Sequence, residues 1–147
     1  VIDYDDSGLP VVQVGSPGPA HPLLSEPTRP FAGEPTLDFL LRACGPWGHV
    51  ETSVQTWAGD GLAAFFASLA EDFRGWAGAR TWHSLCYDLT LAAEHRPGGH
   101  VHLTWGIHDR APAEEWRFET TTVHAAGEDI RVLAAGIQHT FIASVAE

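Results

Sequence analysis

The amino-acid sequence predicts an α+β domain: an antiparallel β-sheet with one long central helix and a C-terminal helix packed on one face, preceded by a Pro-rich N-terminal segment. Three observations point there. Two stretches carry apolar residues at helical spacing, several others alternate at a period of two between glycine- and proline-bearing turns, and seven of the ten prolines fall within the first 35 residues. A chain of 147 residues with six tryptophans and seven phenylalanines can bury a core without metal or disulfide staples. The division expected is an irregular segment over 1–35 and a single α+β domain over 36–147.

The elements follow in order. Prolines at 10, 17, 19, 22, 27, 30 and 35 forbid a helix and most ladder pairing, leaving room for one edge strand near Val11 to Val14. "TLDFLLRACG" and "GHVETSVQTWAG" read as two strands joined at "GPWG", although "LDFLLRA" also fits a helical turn. In the second, Val50, Thr52, Val54 and Thr56 alternate against Glu51, Ser53, Gln55 and Trp57. "GDGLAAFFASLAEDFRGW" is the clearest helix: Leu62, Phe65, Phe66, Leu69, Phe73 and Trp76 form its stripe, Asp60 stands at the N-cap position and Gly75 near the end. Phe65 is the side chain expected to matter most, at about 3–5 kcal/mol on truncation to alanine.

Three strands should follow, in "TWHSLCYDLTLAAEH", "GHVHLTWGIHD" and "EWRFETTTVHA". In the first, Leu85, Tyr87, Leu89 and Leu91 alternate against Cys86, Asp88 and Thr90, and "RPGG" has the proline and glycine of a type II turn. "RAPAE" connects to the third strand. Ile130, Leu133, Ala134, Ile137, Phe141 and Ile142 then trace the stripe of the last helix.

The chemistry worth weighing lies in "GHVHLTWGIHDR". Val101, Leu103, Trp105 and Ile107 fall on one face of a strand, and His100, His102 and His108 on the other. Hairpin pairing would bring Asp88 beside Gly106 or His108 and Glu94 beside His100 or His102, with Cys86 at the Asp88 end. His102, His108, Asp88 and Cys86 are therefore candidate ligands for zinc or another divalent metal, which would make the face a small metal-dependent enzyme or ligand-binding site. The blander reading is an open sheet face whose polar residues meet solvent or a partner. On that reading His100, His102, His108, Trp47, Arg117 and Glu119 are the contact residues, Trp47 because it sits in a glycine-proline turn where an aromatic ring would be exposed.

Other chemistry has less support. His83 lies beside Ser84 and near Cys86, but strand neighbours point to opposite faces, so no base reaches either nucleophile locally. Glu114 and Glu115 sit in a connector and read as solvated. No phosphate-binding glycine motif occurs, and no cofactor is expected.

Charge narrows the partners. Nineteen acidic residues face eight arginines and no lysine, a formal net charge of −11. That repels nucleic acid and anionic membranes and favours a basic protein partner; edge strands could also pair two copies as a homodimer. With no long apolar run and no CxxC spacing for Cys44 and Cys86, a cytoplasmic protein with reduced thiols is expected.

The succession "GDGLAAFFASLAEDFRGWAG", "RTWHSL", "GGHVHLTW" and "EEWRFETTTVHAAGEDIRVLAAGI" resembles a family of small acidic actinobacterial proteins of uncharacterised function. The likeness covers about residues 37 to 145, and F-R-G-W and G-x-V are its most specific parts. The order of helix, hairpin with a G-x-V start, strand and G-E opening to a last helix is also similar to immunity proteins of wall-associated polymorphic toxins. That second resemblance implies an inhibitor that occludes a basic toxin domain. Neither resemblance carries a catalytic residue onto this chain.

Overall fold

The computed structural model describes residues 2–4, 10–14, 21–28, 35–109, 112–113 and 115–145. Strands β1 (Ile2–Tyr4), β2 (Pro10–Gln13), β3 (His21–Thr28), β4 (Thr36–Gly45) and β5 (Gly48–Trp57) form an antiparallel sheet in chain order. A 3₁₀ turn (Ala58–Gly61) leads into α1 (Leu62–Glu71). Strands β6 (Ala79–His83), β7 (Leu89–Arg96), β8 (His100–His108) and β9 (Arg117–Ala125) form a second antiparallel sheet, and α2 (Glu128–Val145) follows. The α+β class with antiparallel strands holds, but the single expected sheet is two sheets. The central helix has 10 residues, and the C-terminal helix, with 18, is the longer.

The Pro-rich segment contributes more strand than its composition suggests. β3 pairs with β4 from His21↔Cys44 to Thr28↔Asp38, and the register shifts between Ser25 and Thr28, where Pro27 stands. A bulge at that point absorbs the ladder bond that proline cannot donate. Val12, Val14 and Pro22 are buried, so this segment is part of the core layer.

β4 and β5 form a hairpin in unbroken register from Thr36↔Trp57 to Gly45↔Gly48, which settles "LDFLLRA" as strand. Alternation places Leu37, Phe39, Leu41 and Ala43 of β4 against Thr56, Val54, Thr52 and Val50 of β5 on the inner face. The Thr56 hydroxyl closes the far end, donating to the Leu37 carbonyl at 2.6 Å and accepting the Gly59 amide at 3.0 Å.

The inner face of the second sheet carries Trp82, Leu89, Leu91, Ala93, Val101, Leu103, Trp105 and Ile107, all in one core cluster with β4, β5 and both helices. The β4–β5 hairpin and the 3₁₀ turn after it touch the second sheet and its loops at three points. Trp47 lies beside Phe118 of β9 at 5.0 Å between ring centroids, the Gln55 amide reaches Asp88 at 3.2 Å, and the Trp82 indole donates to the Asp60 carbonyl at 2.8 Å. Those three contacts come from the turn before β5, from β5 itself and from the 3₁₀ turn after it.

Three local expectations are corrected. Asp60 does not cap α1: Gly61 is the N-cap, no side chain bonds the free amides, and Asp60 sits inside the 3₁₀ turn with φ of 50°. The helix ends at Glu71, before Phe73 and Trp76, because Trp76 turns away to donate its indole N–H to the Ala93 carbonyl at 3.1 Å, with Arg80 over its ring. Phe66, not Phe65, is the fully buried aromatic, packed on Trp105 at 6.1 Å, while Phe65 is only partly buried and meets Phe66 edge-on.

A fourth correction concerns "TWHSLCYDLTLAAEH", which is not one strand. It breaks at Ser84 to Asp88, so Leu85 and Tyr87 leave the apolar register and become exposed. In α2, Ile130, Leu133, Ala134 and Ile137 are buried as the stripe requires, and α1 packs against α2. The side chains of Phe141 and Ile142 lie outside those described.

Truncating Phe66 to alanine should cost about 3–5 kcal/mol of unfolding free energy, and truncating Phe65 less than half of that. Chemical denaturation of the two variants checks the order; equal losses would mean that the two rings share the core evenly.

Candidate functional site

The outer face of the second sheet is built by register. Across β6–β7–β8–β9 one row is His83, Thr90, Gly106 and Glu119, and the next is Thr81, Ala92, Thr104 and Thr121. The two central strands therefore supply small side chains, and in the first row the edge strands supply larger ones. The result is a trough of about 320 Å³ with a floor of Thr90, Ala92, Thr104 and Gly106. His83 and Tyr87 form one wall and Arg117 and Glu119 the other. A second hollow of about 310 Å³ adjoins it, lined by Tyr87, Thr90, His108, Trp116 and Arg117.

Each wall has its own support. Tyr87 stacks flat on His83, with ring centroids 3.9 Å apart and planes 9° from parallel. Tyr87 adopts a φ of +56°, a left-handed conformation that costs a side-chain-bearing residue about 1–2 kcal/mol. The loop that holds it is closed by Ser84, whose amide donates to the Leu89 carbonyl at 2.9 Å and whose carbonyl accepts the Tyr87 amide at 3.1 Å. The Ser84 hydroxyl donates to Asp88 and accepts the Leu89 amide at 3.0 Å. On the other wall Arg117 pairs with Glu119.

Gly106 shapes the floor. A Cβ there would stand 2.5 Å from the Thr90 hydroxyl and 2.6 Å from His108 Nε2, which bond each other at 2.7 Å. Only glycine lets the His108 ring lie across the strand to meet Thr90.

The candidate metal ligands do not converge. His102 and His108 are six residues apart on one extended strand, so their Cα atoms are separated by about 20 Å. Asp88 lies just before the β7–β8 ladder, where its carbonyl accepts the His108 amide at 3.0 Å, but its buried carboxylate turns to Ser84 and Gln55. Cys86 points its thiol at Gln55 Oε1, 3.6 Å away. Among the described residues no three His, Cys, Asp or Glu side chains come together as a metal site requires, and both cysteines are free thiols.

The candidate contact residues are more dispersed than expected. His102 stands between Glu94 and Val123, and His100 between Arg96 and Ala125 at the far end of the face. Trp47 is half exposed but belongs to the seam between the sheets, lying over Gly45 and against Phe118. Arg117 and Glu119 do meet at the trough, and His108 lines the adjoining hollow with Arg117. Sequence reading did not single out His83, Tyr87, Thr90 or Trp116 for this face. Glu114 lies outside the described residues, and the Glu115 amide donates to Asp109 at 3.3 Å.

Behind the trough, on the inner face, is a polar chain that sequence reading also passed over. The buried Trp105 indole donates to the Thr122 hydroxyl at 2.9 Å, and that hydroxyl lies 2.7 Å from His124 Nε2. With Thr122 donating, His124 is neutral and accepts at Nε2. Burial pushes the His124 imidazole below its ordinary pKa, against the opposing pull of Asp129.

Two outcomes follow. Asp88→Ala leaves the part-buried Gln55 amide and the buried Ser84 hydroxyl without their acceptor and should cost about 3 kcal/mol, read as a lower denaturation midpoint at unchanged slope. For His124, the folded state favours the neutral ring, so the unfolded chain takes up a proton first as pH falls through about 6.5. Its stabilising contribution is thus present above that pH and lost below it. Unfolding free energy measured from neutral to mildly acid pH should fall more steeply for the natural protein than for His124→Gln, and parallel curves would remove this role.

Comparison with curated proteins and with solved structures finds no match to either. A comparison with protein-family models matches residues 18–144, which takes in β3 and so begins earlier than the resemblance read from residue 37 onward. The chain belongs to a family of unknown function, DUF6228.

Proposed function

We propose that this is a protein-binding module that receives a basic partner on the outer face of the second sheet, in the manner of an immunity-type inhibitor covering a toxin domain. The observation that carries the reading is the trough, with the half-exposed rings of Tyr87 and Trp116 beside it at 49% and 45% exposure. Aromatic side chains around a concave surface are the anchors that dominate binding energy in protein interfaces.

Charge supports the choice of partner. Five of the described arginines are ion-paired within the chain, as Arg42–Glu51, Arg80–Asp72, Arg96–Glu94, Arg117–Glu119 and Arg131–Glu128. A sixth, Arg74, lies over the Phe73 ring. The positive charge is spread and locally compensated, so the net −11 acts at long range on whatever approaches. A basic partner would be steered in quickly, and added salt would slow its arrival.

The test pairs the natural protein with a Tyr87→Ser/Trp116→Ser variant as bait for proteins from the source cell, at low and at high salt. A basic protein retained by the natural chain, released by salt and lost from the variant is the expected result. Retention by both baits would move the binding surface elsewhere, and no basic protein at either salt level would overturn the reading.

A further inference from the structure

We infer that β9 is a self-association edge: two copies pair antiparallel through β9 about a two-fold axis at Thr121, joining their second sheets into one continuous sheet. This does not rest on the trough as a binding surface. It rests on how the sheet edges are finished.

An unpaired strand edge is a template for another strand, and stable proteins shorten, cover or interrupt such edges. Among the described residues, β1 is an edge of three residues and β6 one of five. The β5 edge meets the second sheet, with the Gln55 amide bound to Asp88. β9 is left, nine residues long, without proline, glycine or lysine. Its register to β8 runs without a shift from His100↔Ala125 to His108↔Arg117, so no bulge turns it aside.

The direction of its backbone can be read from its two ends. The Ala126 amide donates to Gly99 at 2.8 Å and the Trp116 carbonyl accepts the Asp109 amide at 3.0 Å, so even-numbered residues aim their backbone groups toward β8. By alternation Arg117, Glu119, Thr121 and Val123 aim theirs outward. The side chains of all four are exposed, Val123 at 53%. The Ala125 amide is already taken by the Asp129 carboxylate at 2.9 Å, which ends the free edge.

The strand is complementary to itself. Two-fold pairing about Thr121 sets Thr121 against the partner's Thr121, Glu119 against the partner's Val123 and Arg117 against the partner's Ala125. No like charges oppose each other, and a threonine pair across antiparallel strands is favourable. The two charges of the edge, Arg117 and Glu119, neutralise one another within each copy. Apart from the Asp129 carboxylate at the Ala125 end, which faces the partner's Arg117, the contact zone is neutral although each chain carries −11 overall, and the remaining repulsion is long-range and screened within about 8 Å at physiological salt. Salt strengthens this contact, whereas it weakens a basic partner's hold on the trough.

Sedimentation equilibrium over a range of protein and salt concentrations tests the proposal. The natural protein should be a dimer that tightens with added salt. Thr121→Pro removes only the outward amide and spares the bonds to β8, so it should fold and self-associate about tenfold or more weakly, as two lost central hydrogen bonds imply. Thr121→Lys, which would oppose two ammonium groups across the axis, should weaken it likewise and keeps the test open should the proline variant unfold. A monomer at every concentration, or a dimer as tight in Thr121→Lys as in the natural chain, would overturn it.

Discussion

Beside the apolar core that the two sheets share, their joint turns on one buried carboxylate, Asp88. β5 presents its outer edge toward the second sheet, and the part-buried Gln55 amide there, left without an acceptor, would cost about as much as a lost hydrogen bond. Asp88 supplies the acceptor to Gln55 and, with its other oxygen, takes the Ser84 hydroxyl. The same group therefore seals the joint between sheets and closes the loop from Ser84 to Leu89. That closure holds Tyr87 in its left-handed conformation, so the wall of the trough is a consequence of the seam beneath it.

The trough itself is a matter of side-chain size across four registered strands. Thr90, Ala92, Thr104 and Gly106 are small where the sheet is central, and His83, Tyr87, Arg117 and Glu119 are large at its sides. Of these, only Arg117 and Glu119 stand out in the sequence. Registered in rows they make a hollow, and the inner face beneath is stiffened by Trp105, Thr122 and His124, whose polar atoms satisfy one another inside the core.

Much of the fold could be read in the sequence because periodicity reports directly on which face is buried. Val101, Leu103, Trp105 and Ile107 are all inside, and so are Ile130, Leu133, Ala134 and Ile137. The failures have identifiable causes. Leu85 and Tyr87 match the alternation of Leu89 and Leu91, but the pattern cannot show that Ser84 and Asp88 close a loop between them. Phe65 and Phe66 are adjacent and both apolar, and only the packed partner, Trp105, decides between them. The metal set was decidable without a structure: six residues of extended strand separate His102 from His108 by about 20 Å, too far for one ion. Of the trough the sequence offered only Arg117 and Glu119, as contact residues, since its shape depends on β6 and β9 lying on opposite sides of β7 and β8.

Arg117 and Glu119 belong to both surfaces. Their side chains wall the trough, and their backbone groups point outward from the β9 edge. Pairing through β9 sets two troughs side by side on one sheet face, and it orders the wall they share with the edge. A contact at the edge then removes some of the side-chain freedom that a trough-bound partner would otherwise have to restrict. Entropy already lost in one of the two proposed associations would not be lost again in the other, so the two would reinforce each other without any change of backbone.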